Sequence, residues 1–271
     1  MYKQSYLDQI QEITLSNGKK AKLLITPRHS ISSQIISKMD LGEVKALIVV
    51  VGSTAEIDPA IKQPLFQLFS RGLAQAVRQT GAIIMDGATN NGIFAILGQA
   101  LSEPNNTATH VIGVAPLEKL NRGGELTTTM LGLHHTHFVL VKDVGDWGDE
   151  TETLLNLAAH FAATKPAITL VVGGGEITRQ EVLGSVRSGW PIIVVKGSGR
   201  LADQLTEQFE AYQDNTSWQE IIAFLPFSED SELAEIVTRG ELYFVSLNQE
   251  KDTIGQFEQL LLLLLSRPNV S

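Results

Sequence analysis

Hydrophobic positions change period along this chain, and the change outlines its architecture. Residues 10–15 and 21–25 are short runs with strand character. Between them lies Ser16-Asn17-Gly18-Lys19, whose Asn-Gly suits the type I′ turn of a β-hairpin, and Pro27 then ends the second run. From residue 45 onward strands and helices alternate. Residues 46–51, ALIVVV, are continuously apolar, as in a strand covered on both faces. Residues 64–79 put Leu65, Leu68, Phe69, Leu73, Ala76 and Val77 on one helical stripe. Further strands are predicted at 82–85, 110–114, 138–141, 168–172, 192–195 and 242–245, and further helices at 93–101, 152–163, 179–186, 201–209, 232–237 and 253–265. This alternation predicts an α/β fold: a Rossmann-like, doubly wound, mainly parallel sheet with helices on both faces. Residues 1–28 read as an N-terminal β-hairpin extension and 29–271 as one domain.

Composition narrows the functions. At 43% hydrophobic residues the chain of 271 can bury a substantial core, and with no cysteine it has neither a disulfide framework nor a cysteine metal site. That absence fits a cytoplasmic protein. The first twenty residues lack the apolar core of a signal peptide, and the leucine run 260–265 is far shorter than the roughly 20 residues that span a bilayer. Membrane insertion is therefore not expected. The run is expected to be the buried face of a final helix, with a homo-oligomer contact as the alternative. Thirty acidic against 21 basic residues give a net charge of −9, and no Lys/Arg stripe is present, which argues against a nucleic-acid partner. A protein of this charge that binds an anion must supply positive potential locally, from backbone N–H groups and helix N-termini.

The glycines fall where such a ligand would need them. Gly52-Ser53-Thr54, Gly87-Ala88-Thr89-Asn90-Asn91-Gly92, Gly173-Gly174-Gly175-Glu176 and Gly197-Ser198-Gly199-Arg200 each follow a predicted strand and lead towards a helix. In a doubly wound sheet all four turns lie along one edge, the edge at which ligands bind. Glycine admits a ligand close to the backbone, and the neighbouring hydroxyl and amide side chains add contacts. None of the four matches G-x-G-x-x-G with a following acidic residue, nor G-x-x-x-x-G-K-[ST]. An ordinary dinucleotide dehydrogenase and a P-loop NTPase are both disfavoured.

Other residues invite chemistry. His134, His135 and His137 precede a strand, and His135 and His137 would share one of its faces. No third metal ligand is near them in sequence, so neither a metal nor a cofactor is expected. Trp147 and Trp190 are either core residues or platforms for a base, and Arg122-Gly123-Gly124 is either a surface loop or a lid. Asp203 either orients Arg200 or favours the start of the helix that follows.

The stretches DGATNNGIFAILGQAL (86–101) and VVGGGEITRQEVL (171–183) resemble the nucleotide-binding fold of the cytokinin-activating phosphoribohydrolases. HHTHFVLVKDVG (134–145) and WPIIVVKGSGRLAD (190–203) are closer to the cytosolic N-terminal region of melastatin-type TRP channels. Over roughly residues 45–265 the chain is thus identified as a member of the SLOG, or LSDAT, superfamily. The resemblance implies a nucleotide-derived ligand, ADP-ribose or another NAD-derived nucleotide, with phosphate held by the turn from Gly174 to Thr178. The turn from Gly87 to Gly92 would face it across the cleft, and Arg179 or Arg200 would supply a cation.

The resemblance also implies a possible reaction. On the phosphoribohydrolase pattern Pro-Gly-Gly-x-Gly-Thr-x-x-Glu, residues Gly174, Gly175, Thr178 and Glu181 match, while Gly173 and Ile177 stand at the proline and third-glycine positions. A carboxylate such as Glu181 stabilises the positive charge that develops on ribose when an N-glycosidic bond breaks. The arginine that assists in those enzymes has no counterpart in residues 145–150. Ligand binding without turnover is the leading reading; hydrolysis through Glu181 and a role in oligomeric assembly are the alternatives. In the leading reading Ser198→Gly is mild, and Gly174→Val blocks binding without unfolding the protein.

Overall fold

The computed structural model describes residues 9–104, 106, 109–122, 125–214, 229–247 and 252–267. Among these, the strands of the main sheet are β1 (Gln11–Thr14), β2 (Lys20–Pro27), β3 (Ala46–Gly52), β4 (Ala82–Asp86), β5 (Val111–Pro116), β6 (His137–Lys142), β7 (Ala167–Val172), β8 (Ile192–Lys196) and β9 (Leu242–Ser246). The main helices are α1 (Ser32–Met39), α2 (Pro59–Gln67), α3 (Ala74–Thr80), α4 (Gly92–Leu101), α5 (Thr151–Ala162), α6 (Glu176–Arg187), α7 (Arg200–Asp214), α8 (Glu229–Arg239) and α9 (Thr253–Leu265). One sheet runs in the order β1-β2-β6-β5-β4-β3-β7-β8-β9. Only the β1–β2 pair is antiparallel; every other neighbouring pair in this sheet is parallel.

Alternation within β3 shows why the sheet is covered twice. Leu47, Val49 and Val51 enter one buried cluster with Leu154, Leu157 and Val182, whereas Ala46, Ile48 and Val50 enter another with Phe69, Leu97 and Phe257. Helices α1, α5, α6, α7 and α8 therefore cover one face, and α2, α3, α4 and α9 the other. Burying each such aliphatic side chain contributes roughly 1.5–3 kcal/mol, so central strands without a polar face are what this packing demands.

The predicted hairpin forms, but with a different turn. Gly18 N donates to the Leu15 carbonyl at 2.9 Å, Leu15 N donates to Lys19 at 2.8 Å, and of the Asn-Gly pair only Gly18 takes a positive φ. That is a three-residue loop closed by a left-handed glycine rather than a type I′ turn, which needs two positive φ values. β2 then pairs with β6 from Lys22 to Pro27, so the hairpin adds two strands to the sheet. Helix α1 was not predicted; with only Ile35 and Met39 buried, its two turns carry too little periodicity.

The helix expected at 64–79 begins earlier. Asp58 accepts a hydrogen bond from Ala60 N at 2.8 Å with Pro59 in the first turn, and a π-helical turn, Leu68–Leu73, joins α2 to α3. Phe257, Leu261, Leu264 and Leu265 of α9 are buried, so the leucine run is the inner face of a final helix; Leu263, 54% exposed, points outward. No helix among the described residues is long and apolar enough to cross a membrane. In Arg122-Gly123-Gly124, the expected lid or loop, the two glycines lie outside the described residues.

Candidate functional site

The chain builds outward from β3 through β4, β5 and β6, then returns to place β7 on the other side of β3. In doubly wound sheets the ligand crevice lies where the direction of winding reverses, which here is outside the carboxyl ends of β3 and β7. The four glycine turns follow β4, β3, β7 and β8, which are consecutive in the sheet.

At the centre Ser53 N donates to Val172 O at 3.1 Å, and the Ser53 carbonyl accepts from Ile93 N at 3.0 Å. A Cβ on Gly92 would run into that same carbonyl, so residue 92 is glycine to let α4 start beneath the β3 turn. Gly174, at φ +103°, passes under Thr178, whose side chain a Cβ would approach to 2.6 Å. Thr178 Oγ1 donates to the Gly52 carbonyl at 3.3 Å. Helix α6 starts after Gly175 with no side-chain cap.

The turn after β8 plays a different part from the one its glycines suggest. Ser198 is buried: its hydroxyl donates to Val195 O at 2.6 Å and accepts from Gly173 N at 2.7 Å. Asp203 accepts from Gly197 N at 2.6 Å and from Gly199 N at 3.1 Å, which settles its role as the clamp of this turn. These amides are committed within the protein. What the turn offers outward is Arg200, whose Nη1 lies 3.5 Å from Ser53 Oγ and whose Nη2 would be 3.6 Å from a Cβ at Gly175. Arg200 has no carboxylate partner among the described residues. Arg179, by contrast, is buried, pairs with Glu176, and donates through Nε to Glu232 of α8 at 2.9 Å. Of the two arginines, Arg200 is the one at the crevice.

Beside Ser53 a pocket of about 230 Å³ is lined by Thr54, Gly87, Thr89, Asn91, Phe94, Met130, Trp147, Glu150, Ile177 and Glu181. Trp147 therefore faces this pocket, whereas Trp190 is packed in the core. Asn91 rather than Asn90 contributes to the wall; Asn90 N donates to Met130 O at 3.1 Å. Burial pushes the Glu181 carboxyl up to about 8, and repulsion from Glu150 and Asp86 adds to the rise. Burial likewise pushes Glu150 up to about 7 against the hydrogen bonds it accepts, one of them from Gly148 N at 2.7 Å. Glu150 gave no sequence signal beyond an acidic stretch, and its place in the pocket depends on the Gly145–Gly148 turn folding back before α5.

Behind the pocket lies a buried cluster. Asp86 Oδ1 is 2.6 Å from His135 Nε2 and accepts from Ala88 N at 2.8 Å, while Oδ2 is 3.4 Å from His134 Nε2. Burial alone would raise the Asp86 carboxyl, but His135 and His134 hold it far below the usual carboxylate range. Burial pushes the His134 ring down to about 4. These three residues bring ligand atoms within 4.8 Å of one another, close enough to share a metal ion. His135 Nδ1 also contacts the Gly132 carbonyl at 3.1 Å, so both its ring nitrogens already face protein oxygens and the arrangement works as a hydrogen-bonded clamp. With Gly132 N donating to Ala88 O at 2.8 Å and a bridge between Thr89 and Leu131, the clamp fixes the β4 turn that walls the pocket. The predicted common face for His135 and His137 does not form. β6 begins only at His137, so a period of two does not reach back to His135; His137 Nε2 instead donates to Met39 O at 2.9 Å.

Comparison with known proteins identifies the family. The family model described as "SLOG in TRPM, prokaryote" matches residues 45–255. The transient receptor potential cation channel subfamily M member-like 2 of Nematostella vectensis is 25% identical over 265 residues, covering 83% of this chain and 16% of its own. Subfamily M member 2 of Mus musculus is 26% identical over 219 residues (67% and 14%), and member 6 of Mus musculus 28% over 185 residues (57% and 9%). The chain thus spans a small part of these relatives' length. With a match covering most of its residues, the chain belongs to the prokaryotic family of SLOG domains of the TRPM type.

Proposed function

We propose that this domain recognises a nucleotide-derived small molecule, ADP-ribose or another NAD-derived nucleotide, and acts as a ligand sensor. The observation that carries the reading is Arg200, an exposed cation without a carboxylate partner among the described residues, reaching Ser53 beside the uncapped start of α6. A phosphate there would meet a guanidinium, a hydroxyl and free N–H groups together. The adjoining pocket, with Trp147 and Phe94, suits the base or ribose end of the same molecule. The same reading takes the domain as a cytoplasmic module acting as a homo-oligomer, which sedimentation tests by a mass above that of one chain.

A second reading, nucleotide hydrolysis, is favoured by two carboxyl groups in one pocket, Glu150 and Glu181, both raised towards neutrality. One group kept protonated and one ionised is what acid-assisted cleavage of a glycosidic bond uses. One experiment separates the two. The protein is incubated with AMP, NAD and ADP-ribose, and both melting temperature and free base are followed. Ligand at roughly 100 times its dissociation constant stabilises by about 2.7 kcal/mol. A shift without base release supports the sensor; release abolished by Glu181→Gln supports the enzyme; no shift with any of the three contradicts both.

A further inference from the structure

The pocket beside Arg200 has a one-sided charge. Glu150, 7% exposed, and half-buried Glu181 share it with Trp147, Phe94, Met130 and Ile177, and among the described residues no lysine, arginine or histidine lines it. Among the described residues, surrounding charges do not offset the pair. Asp86, behind Glu181, is committed to His134 and His135, and Arg179, on the same helix as Glu181, is committed to Glu176 and Glu232. Beside Glu150 stand Asp146 and Asp149; Lys119 pairs with Asp146 at 2.8 Å, and Asp149 accepts from Gly145 N and Asp146 N. Two uncompensated carboxyl groups against apolar walls are costly, and such arrangements concentrate at functional sites. The size of the pocket adds a constraint. About 230 Å³ is below the roughly 300–1,000 Å³ of a complete small-molecule site, a size that suits one ring end of a ligand rather than a whole nucleotide.

We propose, building on the nucleotide reading above, that this pocket selects a nucleotide whose glycosyl end carries a positive charge, a pyridinium being the simplest. Glu150 and Glu181 supply the counter-charge and Trp147 an aromatic contact that also favours a cation. Anion and cation recognition are then separated within one ligand: phosphate at Arg200, positive ring at the glutamates. A neutral ring gains neither the countercharge nor relief of the repulsion between Glu150 and Glu181. Because a bound cation favours the ionised carboxyls, binding releases protons near neutral pH.

NAD⁺ and NADH differ at the nicotinamide ring mainly in that charge, which makes the pair a direct probe. Isothermal titration of the intact protein near pH 8, in two buffers of different ionisation enthalpy, reads affinity and proton release together. The expected result is NAD⁺ binding about tenfold or more tightly than NADH, a difference of about 1.4 kcal/mol or more, with protons released only by NAD⁺. In Glu150→Gln/Glu181→Gln the ratio falls towards one. The wild-type comparison stands whether or not that variant folds. A second pair, 7-methylguanosine monophosphate against guanosine monophosphate, is titrated at about pH 6, where the methylated base is a cation, and separates any cationic base from a pyridinium. NADH binding as tightly as NAD⁺ overturns the charge inference and leaves the nucleotide reading standing. Absence of binding by any of these nucleotides overturns both.

Discussion

Arg200 holds φ at +53°, a backbone conformation that costs a residue with a Cβ roughly 1–2 kcal/mol, with its guanidinium beside Ser53. Replacing it separates strain from recognition. Arg200→Gly is expected to leave the melting temperature unchanged or higher while weakening nucleotide affinity about tenfold to a hundredfold, the range of one charge-assisted contact of about 1.5–3 kcal/mol. Ser198 behaves in the opposite way. The sequence suggested that Ser198→Gly would be mild, but the buried hydroxyl satisfies Gly173 N, so its loss is expected to cost about 1–3 kcal/mol in chemical denaturation. Gly174→Val also changes meaning, because φ +103° and the contact with Thr178 make it a folding lesion as well as a binding one. Both revisions have one origin. Sequence marks a glycine turn as special without saying whether its amides face a ligand or a partner such as Asp203.

Among the elements, the β4 turn depends on contacts remote in sequence. Asp86 is satisfied by Ala88 N and by two histidines 48 and 49 residues away. Asp86→Asn replaces one acceptor oxygen by an amide NH2 where Ala88 N, His134 and His135 meet the side chain, and leaving a buried polar group unsatisfied costs about 1–3 kcal/mol. The urea midpoint should fall accordingly, and nucleotide affinity should fall with it because Gly87 and Thr89 line the pocket. If affinity survives in the folded variant, the clamp does not shape the site. The strands of the central sheet were legible because ALIVVV and its equivalents are apolar on both faces, and this pattern survives without tertiary context. The Asp86–His135 clamp was not, because no local period relates a strand end to a turn on a strand two places away in the sheet. Glu150 was hidden for the same reason, since its position depends on how the turn before α5 folds.

For the whole molecule, the raised carboxyls set a pH dependence. Glu150 and Glu181 keep their protons in the folded state to about pH 7 and about pH 8, whereas both lose them near pH 4.5 when unfolded. Their contribution to stability is complete below that lower value and is lost as pH rises through 7 and 8. His134 and His137, pushed down by burial to about 4, act in the other direction: their contribution is complete above about 6.5 and is lost as pH falls towards 4. The melting temperature should therefore peak on the acid side of neutrality, and Glu181→Gln should flatten the decline on the alkaline side. A melting temperature that is flat from about pH 6 to 9 in the wild type would count against a shared, uncompensated carboxyl pocket.

The winding reversal between β3 and β7 gathers four turns, Arg200 and one pocket at a single edge, where a nucleotide is expected to bind. Calorimetric titration of ADP-ribose into the wild type and into Arg200→Gly tests it most directly. Saturable binding to the wild type is expected, with affinity reduced about tenfold or more in a variant that melts no lower. Equal affinity in the two proteins, or no binding by the wild type, would contradict it.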